Sequence, residues 1–217
     1  MDFPDRLIAG YATFMQRRLP TEQNRFRALA EQGQSPKTMV IGCCDSRVSP
    51  EVIFDAGPGE LFVVRNVANL VPPYSPDGAY HGVSAALEFA VQALKVSDIV
   101  VLGHARCGGI KAYAEQAAPL SSGDFIGRWM SLIAPAAASL GPVAAGEDYL
   151  ARLEQASLMR TLDNLMTFPY VSARVERGEM ALHAAYFGVA TGALAVLDRT
   201  SGEFRPVAIG ERGQTAG

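Results

Sequence analysis

The chain is poor in the residues that most often carry chemistry. Its 217 residues include three cysteines, three histidines and one tryptophan. Three cysteines, two of them adjacent, make a poor disulfide framework, so metal binding or catalysis is the better use for them. No block of Lys or Arg marks a nucleic-acid footprint, and the densest basic spot, Arg17-Arg18, reads as a solvated helix face. No apolar run is long and unbroken enough to span a bilayer. Leu132 to Ala145, the most apolar of the later stretches, is interrupted by Pro135, Gly141 and Pro142. The first residues, Met1-Asp2-Phe3-Pro4-Asp5-Arg6, lack the uninterrupted apolar core of a secretory signal, so the expected compartment is the cytoplasm. There is no internal repeat.

The remaining composition suits one packed domain, with 49% hydrophobic residues, 19% charged residues and a net charge of −3. Residues 1–217 are therefore expected to form a single domain. A helical arm covers about 1–33, and a disordered tail covers about 211–217. Leu7, Ile8, Tyr11, Phe14 and Met15 recur at helical spacing. A second helix runs from Pro20 to Glu31 and stops at Gly33. The apolar stripe of the first helix can cover its own domain or a partner subunit.

Thr38 to Cys43, Glu60 to Arg65 and Asp98 to Gly103 are short, apolar and β-branched, as strands buried on both faces are. Helical patterns cover Val83 to Leu94, Asp148 to Met166 and Val171 to Arg177, and short helices and loops are expected over 119–147. Met180 to Ala190 and Ala193 to Asp198 are strand-like, joined around Thr191-Gly192. Strands alternating with helices predict an α/β fold with a parallel sheet.

Two motifs, 61 residues apart, collect all three cysteines and one histidine: Cys43-Cys44-Asp45-Ser46-Arg47 and His104-Ala105-Arg106-Cys107. Each follows a strand-like run. If strand alternation persists through the first motif, Cys43, Asp45 and Arg47 share a face and Cys44 turns away as a small buried filler. Arg47 would pair with Asp45 and keep it ionised. His104 and Cys107 are spaced for one turn at a helix start, with Gly108 and Gly109 offering amides to an anionic oxygen. With Cys43 they make a Cys2His set, three ligands with a fourth position open, as in a catalytic zinc site. Water on such a zinc can have a pKa near ~7. His81 and His183 read as structural or hydrogen-bonded core residues rather than ligands.

These strings resemble the β-carbonic anhydrases. The signature Cys-x-Asp-x-Arg followed by His-x-x-Cys stands here as Cys43, Asp45, Arg47, His104 and Cys107. Gly57-Pro58-Gly59-Glu60 and Arg65-Asn66-Val67-Ala68-Asn69 also match. The resemblance implies one zinc per chain on Cys43, His104 and Cys107, with Asp45, held by Arg47, orienting the nucleophile that attacks carbon dioxide. It implies a mostly parallel sheet, four parallel strands plus an antiparallel edge strand, flanked by helices. It also implies homo-oligomers built from dimers, with active sites at the dimer interface and N-terminal helices packing on the partner. No nucleic acid or membrane partner is implied.

The plant-type subclass places a glutamine nine residues before the first ligand, here Gln34, and a phenylalanine at Phe62. Its tyrosine position is Phe89, so that hydroxyl is missing. Gln34, Phe62, Phe89 and Gly108 are the expected substrate-binding residues, Gln34 from across the interface. The bicarbonate-regulated subclass has tryptophan three residues before the first ligand, where this chain has Val40, so no such regulation is expected. His81 and Tyr80 are the candidates for a proton shuttle. Relatives of the same fold hydrolyse carbon disulfide or carbonyl sulfide, and a zinc-stabilised binding protein without activity is a further alternative, which an intact Asp45 and Arg47 disfavour.

Overall fold

The computed structural model describes residues 3–115, 124–142 and 148–208. Four apolar strands pair in parallel: β1 (Thr38–Cys43), β2 (Leu61–Asn66), β3 (Asp98–His104) and β4 (Ala181–Phe187). The crossovers carry α3 (Pro50–Ile53), α4 (Gly82–Glu88), α5 (Gly108–Ala114), α6 (Asp124–Met130), α7 (Ala134–Ser139), α8 (Tyr149–Met166) and α9 (Pro169–Glu176). Two further strands, β5 (Leu194–Asp198) and β6 (Glu203–Pro206), add antiparallel to β4, giving the order β2-β1-β3-β4-β5-β6.

The parallel sheet and its antiparallel edge match the expectation, but the edge holds two strands rather than one. β6 is only four residues long and ends in proline, too short for a periodicity to register. The strand expected over Met180 to Ala190 stops at Phe187. A tight turn follows there, in which Gly188 accepts from the N–H groups of Thr191 and Gly192. The helix expected over Val83 to Leu94 is α4 followed by a wider π-type turn, Phe89–Ala93. The tail expected over 211–217 lies outside the described residues.

Strand alternation sorts the core. Met39, Ile41, Ile99, Val101, Leu182 and Ala184 face Leu87, Leu158, Leu162, Leu165 and Val171 from the helices on one side. Val40, Leu102 and Ala185 face the other side with Val48. Helix α8 is the main buttress. Asp148 caps it, its side chain accepting the N–H groups of Leu150 and Ala151, and nine of its residues are buried. Its buried leucines stabilise the fold by roughly 2 kcal/mol each. A Cβ at Gly103 would lie 2.9 Å from Leu158, so glycine is what lets α8 approach β3 this closely.

The arm behaves differently. Helices α1 (Asp5–Thr13) and α2 (Leu19–Gln32), joined by a π-type turn over Phe14–Arg18, bury no residue within the chain. Leu7 is 55% and Tyr11 63% exposed. Its tether is Arg25 of α2, which donates to the Pro58 carbonyl at 2.7 Å and pairs with Glu60 at 2.9 Å. No described helix is long and apolar enough to cross a membrane.

Candidate metal centre

Pairing β1 with β3 brings both motifs to one edge. Cys43 ends β1 and His104 ends β3, so both side chains leave the carboxyl ends of adjacent parallel strands. After Cys43 the chain turns instead of extending. The Val48 N–H donates to the Asp45 carbonyl at 3.1 Å, and the Arg47 N–H donates to Asp45 Oδ1 at 3.0 Å. This corrects the sequence reading in two ways. Asp45 and Arg47 meet through a turn closed by the aspartate side chain, not through strand alternation. Cys44 lies past the strand end and is exposed, not a buried filler.

Arg65 braces this turn, and sequence reasoning missed that role. From β2 it donates to the carbonyls of Cys43 at 2.8 Å, Asp45 at 2.7 Å and Val48 at 2.6 Å. Its signals are a cation that follows the apolar run Leu61 to Val64 and its place in the matched string Arg65-Asn66-Val67-Ala68-Asn69.

The second loop is more deeply set. His104 is buried, and its Nδ1 donates to the Ala105 carbonyl at 3.0 Å. That bond fixes the tautomer and leaves Nε2 as a lone pair. Nε2 is buried with no hydrogen-bond partner among the described residues. Cys107 precedes the first turn of α5. The Cys43 and Cys107 sulfurs are 4.0 Å apart, and all three ligand atoms lie within 4.8 Å of one another. Two thiolates on a tetrahedral zinc, with Zn–S about 2.3 Å, stand about 3.8 Å apart, so the group has the right size. An unpartnered imidazole nitrogen facing two thiols is also the right donor set.

The surrounding amides favour thiolates. Cys43 is brought down to about 4 by the Cys107 thiol first, against burial, with help from His104 and the backbone N–H groups of Asp45 and Ala68. Cys107 is pushed up by the same contact and by burial, opposed by the N–H groups of Ile110 and Gly109. The contact that favours the thiolate at Cys43 thus disfavours it at Cys107. Burial disfavours the charged His104, yet contact with Cys43 outweighs it and raises the imidazole.

Beside the ligands, Asp45 and Arg47 form a two-armed ion pair, Nε to Oδ1 at 2.9 Å and Nη2 to Oδ2 at 2.7 Å. Hydrogen bonds from the Arg47 side chain, opposed by burial, hold the Asp45 carboxyl well below the usual carboxylate range. Asp45 Oδ2 stands 3.8 Å from His104 Nε2. Behind the ligands, buried Glu154 of α8 accepts the Cys107 N–H at 2.9 Å and the Tyr186 hydroxyl at 2.6 Å. Burial raises its carboxyl, partly offset by those two bonds. Sequence reasoning missed Glu154 too, although an acid inside the stripe Leu153, Ser157, Leu158, Thr161 was a visible anomaly.

The other expected site residues divide by place. Gly108 opens α5 beside Cys107, with no atom within 4 Å of where a Cβ would sit. Gln34 is exposed between α2 and β1, ahead of the sheet. Phe62 pairs with Met39 and Asn66 with Cys43, so Phe62 lies four residues, about 13 Å, back from the ligand edge. The rings of Phe62 and Phe89 are 5.9 Å apart, and Phe89 is 50% exposed. These three residues therefore sit away from their own chain's candidate metal ligands. His81 bonds Asp77 at 2.6 Å and His183 bonds Asp98 at 3.0 Å. Both are hydrogen-bonded as expected, but His81 is exposed and His183 only half-buried, so neither is a core residue. Tyr80 is fully exposed, and Val40 is buried in the sheet.

Comparison with known proteins agrees with this geometry. A family profile described as carbonic anhydrase matches residues 38–194. Beta carbonic anhydrase 5, chloroplastic, of Arabidopsis thaliana is 35% identical over 189 residues, 86% of this chain and 62% of that protein. Beta carbonic anhydrase 3 of the same plant is 34% identical over 198 residues, 88% of this chain and 76% of that protein. The chain thus spans just under two thirds of the first relative. A solved structure of the beta-carbonic anhydrase CcaA superposes with a TM-score of 0.82 at 29% identity, covering 94% of this chain and 92% of that one. A profile over most of the chain, relatives at about a third identity and a shared sheet lead to one assignment: the chain belongs to the carbonic anhydrase family, in its β class.

Proposed function

We propose that this protein interconverts carbon dioxide and bicarbonate with zinc held by Cys43, His104 and Cys107. The observation that carries the reading is the placement of an ionised carboxylate, Asp45, 3.8 Å from the unpartnered His104 Nε2. A purely structural zinc has no use for it. Zinc in such a site supplies a water made nucleophilic at neutral pH. The chain's own groups do the rest. Arg47 fixes the direction of Asp45 and keeps it charged, so Asp45 is occupied as an acceptor rather than free to become a fourth ligand. Oδ1 accepts both the Arg47 N–H and Nε, but Oδ2 accepts only Nη2 and retains a lone pair, enough to accept a hydrogen bond from the attacking water and orient it. The Gly108 amide, at the start of α5 beside Cys107, is the proposed donor to a developing oxyanion.

Gln34, Phe62 and Phe89 serve the site of a second copy of the chain, which explains why they stand apart from their own ligands. The Phe62 and Phe89 rings offer an apolar wall that suits a substrate without a dipole, and Gln34 donates a hydrogen bond to bicarbonate. Phe89 withdraws the hydroxyl of the family's tyrosine and one hydrogen bond with it. The assembly is a homo-oligomer built from dimers, each arm lying on the partner. The sheet and its arm form one domain. Val40, with no tryptophan in its place, goes with an absence of bicarbonate regulation. Free thiols at all three cysteines suit a reducing compartment, and the cytoplasm is the proposed one.

Asp45→Ala tests this reading. The variant should keep its zinc and lose about 100-fold in the rate of carbon dioxide hydration by stopped flow. A rate equal to wild type would remove Asp45 from the reaction.

A further inference from the structure

One peptide unit links the metal ligands to the Asp45–Arg47 pair. Arg106 sits at φ +58°, a left-handed conformation that residues with a Cβ seldom adopt. Both polar ends of the following peptide are held. Its oxygen, the Arg106 carbonyl, accepts Arg47 Nη2 at 3.0 Å. That same nitrogen donates to Asp45 Oδ2 at 2.7 Å. Its nitrogen, the Cys107 N–H, donates to Glu154 Oε1 at 2.9 Å. Glu154 is 3% exposed, and its other oxygen accepts the Tyr186 hydroxyl at 2.6 Å. Tyr186 stands on β4 opposite Gly103, next to His104.

A buried acid is costly unless its oxygens are satisfied, and an aliphatic residue would pack among Leu153 and Leu158 without that cost. The two bonds satisfy Glu154. They also tie three elements, α8, β4 and the ligand loop, to one peptide plane.

We infer that Glu154, backed by Tyr186, is a positioning residue for the proposed hydratase. Through the Arg106–Cys107 peptide it sets the direction of the Cys107 sulfur and, through Arg47, that of Asp45. The inference rests on Cys107 being a metal ligand, as proposed above. It predicts that a change at Glu154 is felt at the metal and at Asp45 together, although Glu154 touches neither.

The test replaces zinc with cobalt and reads the thiolate-to-cobalt absorption band alongside kcat, KM and Tm. Glu154→Gln keeps the shape but replaces one acceptor with a donor. Tyr186→Phe removes a single bond and is the variant of recourse if the first does not fold. Val171→Ala, buried against α8 far from the ligands, is the control for simple destabilisation. Glu154→Gln should shift the cobalt band and lower kcat about 10- to 100-fold with KM nearly unchanged. Tyr186→Phe should move both in the same direction by less. Val171→Ala should lower Tm and leave the band and kcat alone. A wild-type band that neither Glu154→Gln nor Tyr186→Phe moves, or equal changes in Val171→Ala, overturns the inference and leaves the zinc reading standing. A wild-type protein with no such band overturns both.

Discussion

The two ends of the parallel strands are built on opposite plans. At the carboxyl end, the candidate ligands and the groups that brace them come from one chain. Cys43, His104 and Cys107 converge, Arg65 holds three carbonyls of one loop, and Glu154 holds the other. At the amino end, the chain leaves its apolar groups uncovered. Phe89 is half exposed, and neither arm helix buries a residue. Helices α1 and α8 sharpen the contrast. Both are amphipathic, yet α8 buries nine residues and α1 none. An exposed apolar stripe marks an interaction surface. On the proposed reading, folding alone sets the ligand geometry at the metal end, while the uncovered apolar groups at the other end are left for a second copy of the chain.

Removing a ligand should have the largest effect. Cys43→Ala should lose zinc, and hydration should fall to the rate of buffer alone, while the mass by light scattering stays that of the wild-type oligomer. Parallel loss of mass would show that the two ends are not separate. Next comes the arm. Leu7→Asp combined with Tyr11→Asp should split the oligomer, leave zinc bound and cut hydration about tenfold, because a desolvated apolar contact is replaced by buried charge. Unchanged mass would place the arm's partner elsewhere.

A smaller effect concerns acid. Asp45 has a folded pKa below its unfolded one, held there mainly by the Arg47 side chain. Its ionised form therefore stabilises the fold above about pH 4 and loses that contribution as pH falls through the lower, folded value. Arg47→Ala should move the acid-unfolding midpoint of the zinc-free protein to higher pH. An unmoved midpoint would mean that the pair contributes nothing to the fold. The smallest effect is at Cys44. Cys44→Ser should change stability by less than about 0.5 kcal/mol and keep zinc and activity. Loss of zinc there, with retention in Cys43→Ala, would reverse the ligand assignment.

The division between the two ends also describes what was legible in the sequence. Strands buried on both faces announce themselves by composition, and β1 lies where its apolar run predicts. The three candidate ligands were legible because each ends a strand or precedes a helix, and the structure brings them together. Arg65 and Glu154 were hidden because their partners are main-chain groups 22 and 47 residues away, brought close only by strand pairing and helix packing. The exposure of Cys44 was misread because alternation is a property of strands, and the strand stops one residue earlier. The contact between the Phe62 and Phe89 rings and the end of the sheet on which they lie were not readable, because both depend on how α4 and β2 pack.

The central claim is a zinc centre on three named residues that turns over carbon dioxide. Its most direct test strips the metal with a chelator and follows stopped-flow hydration as zinc is returned. The rate should climb linearly and break at one zinc per chain, with Cys107→Ala flat throughout. A rate indifferent to zinc, or a fully loaded protein no faster than buffer, would contradict it.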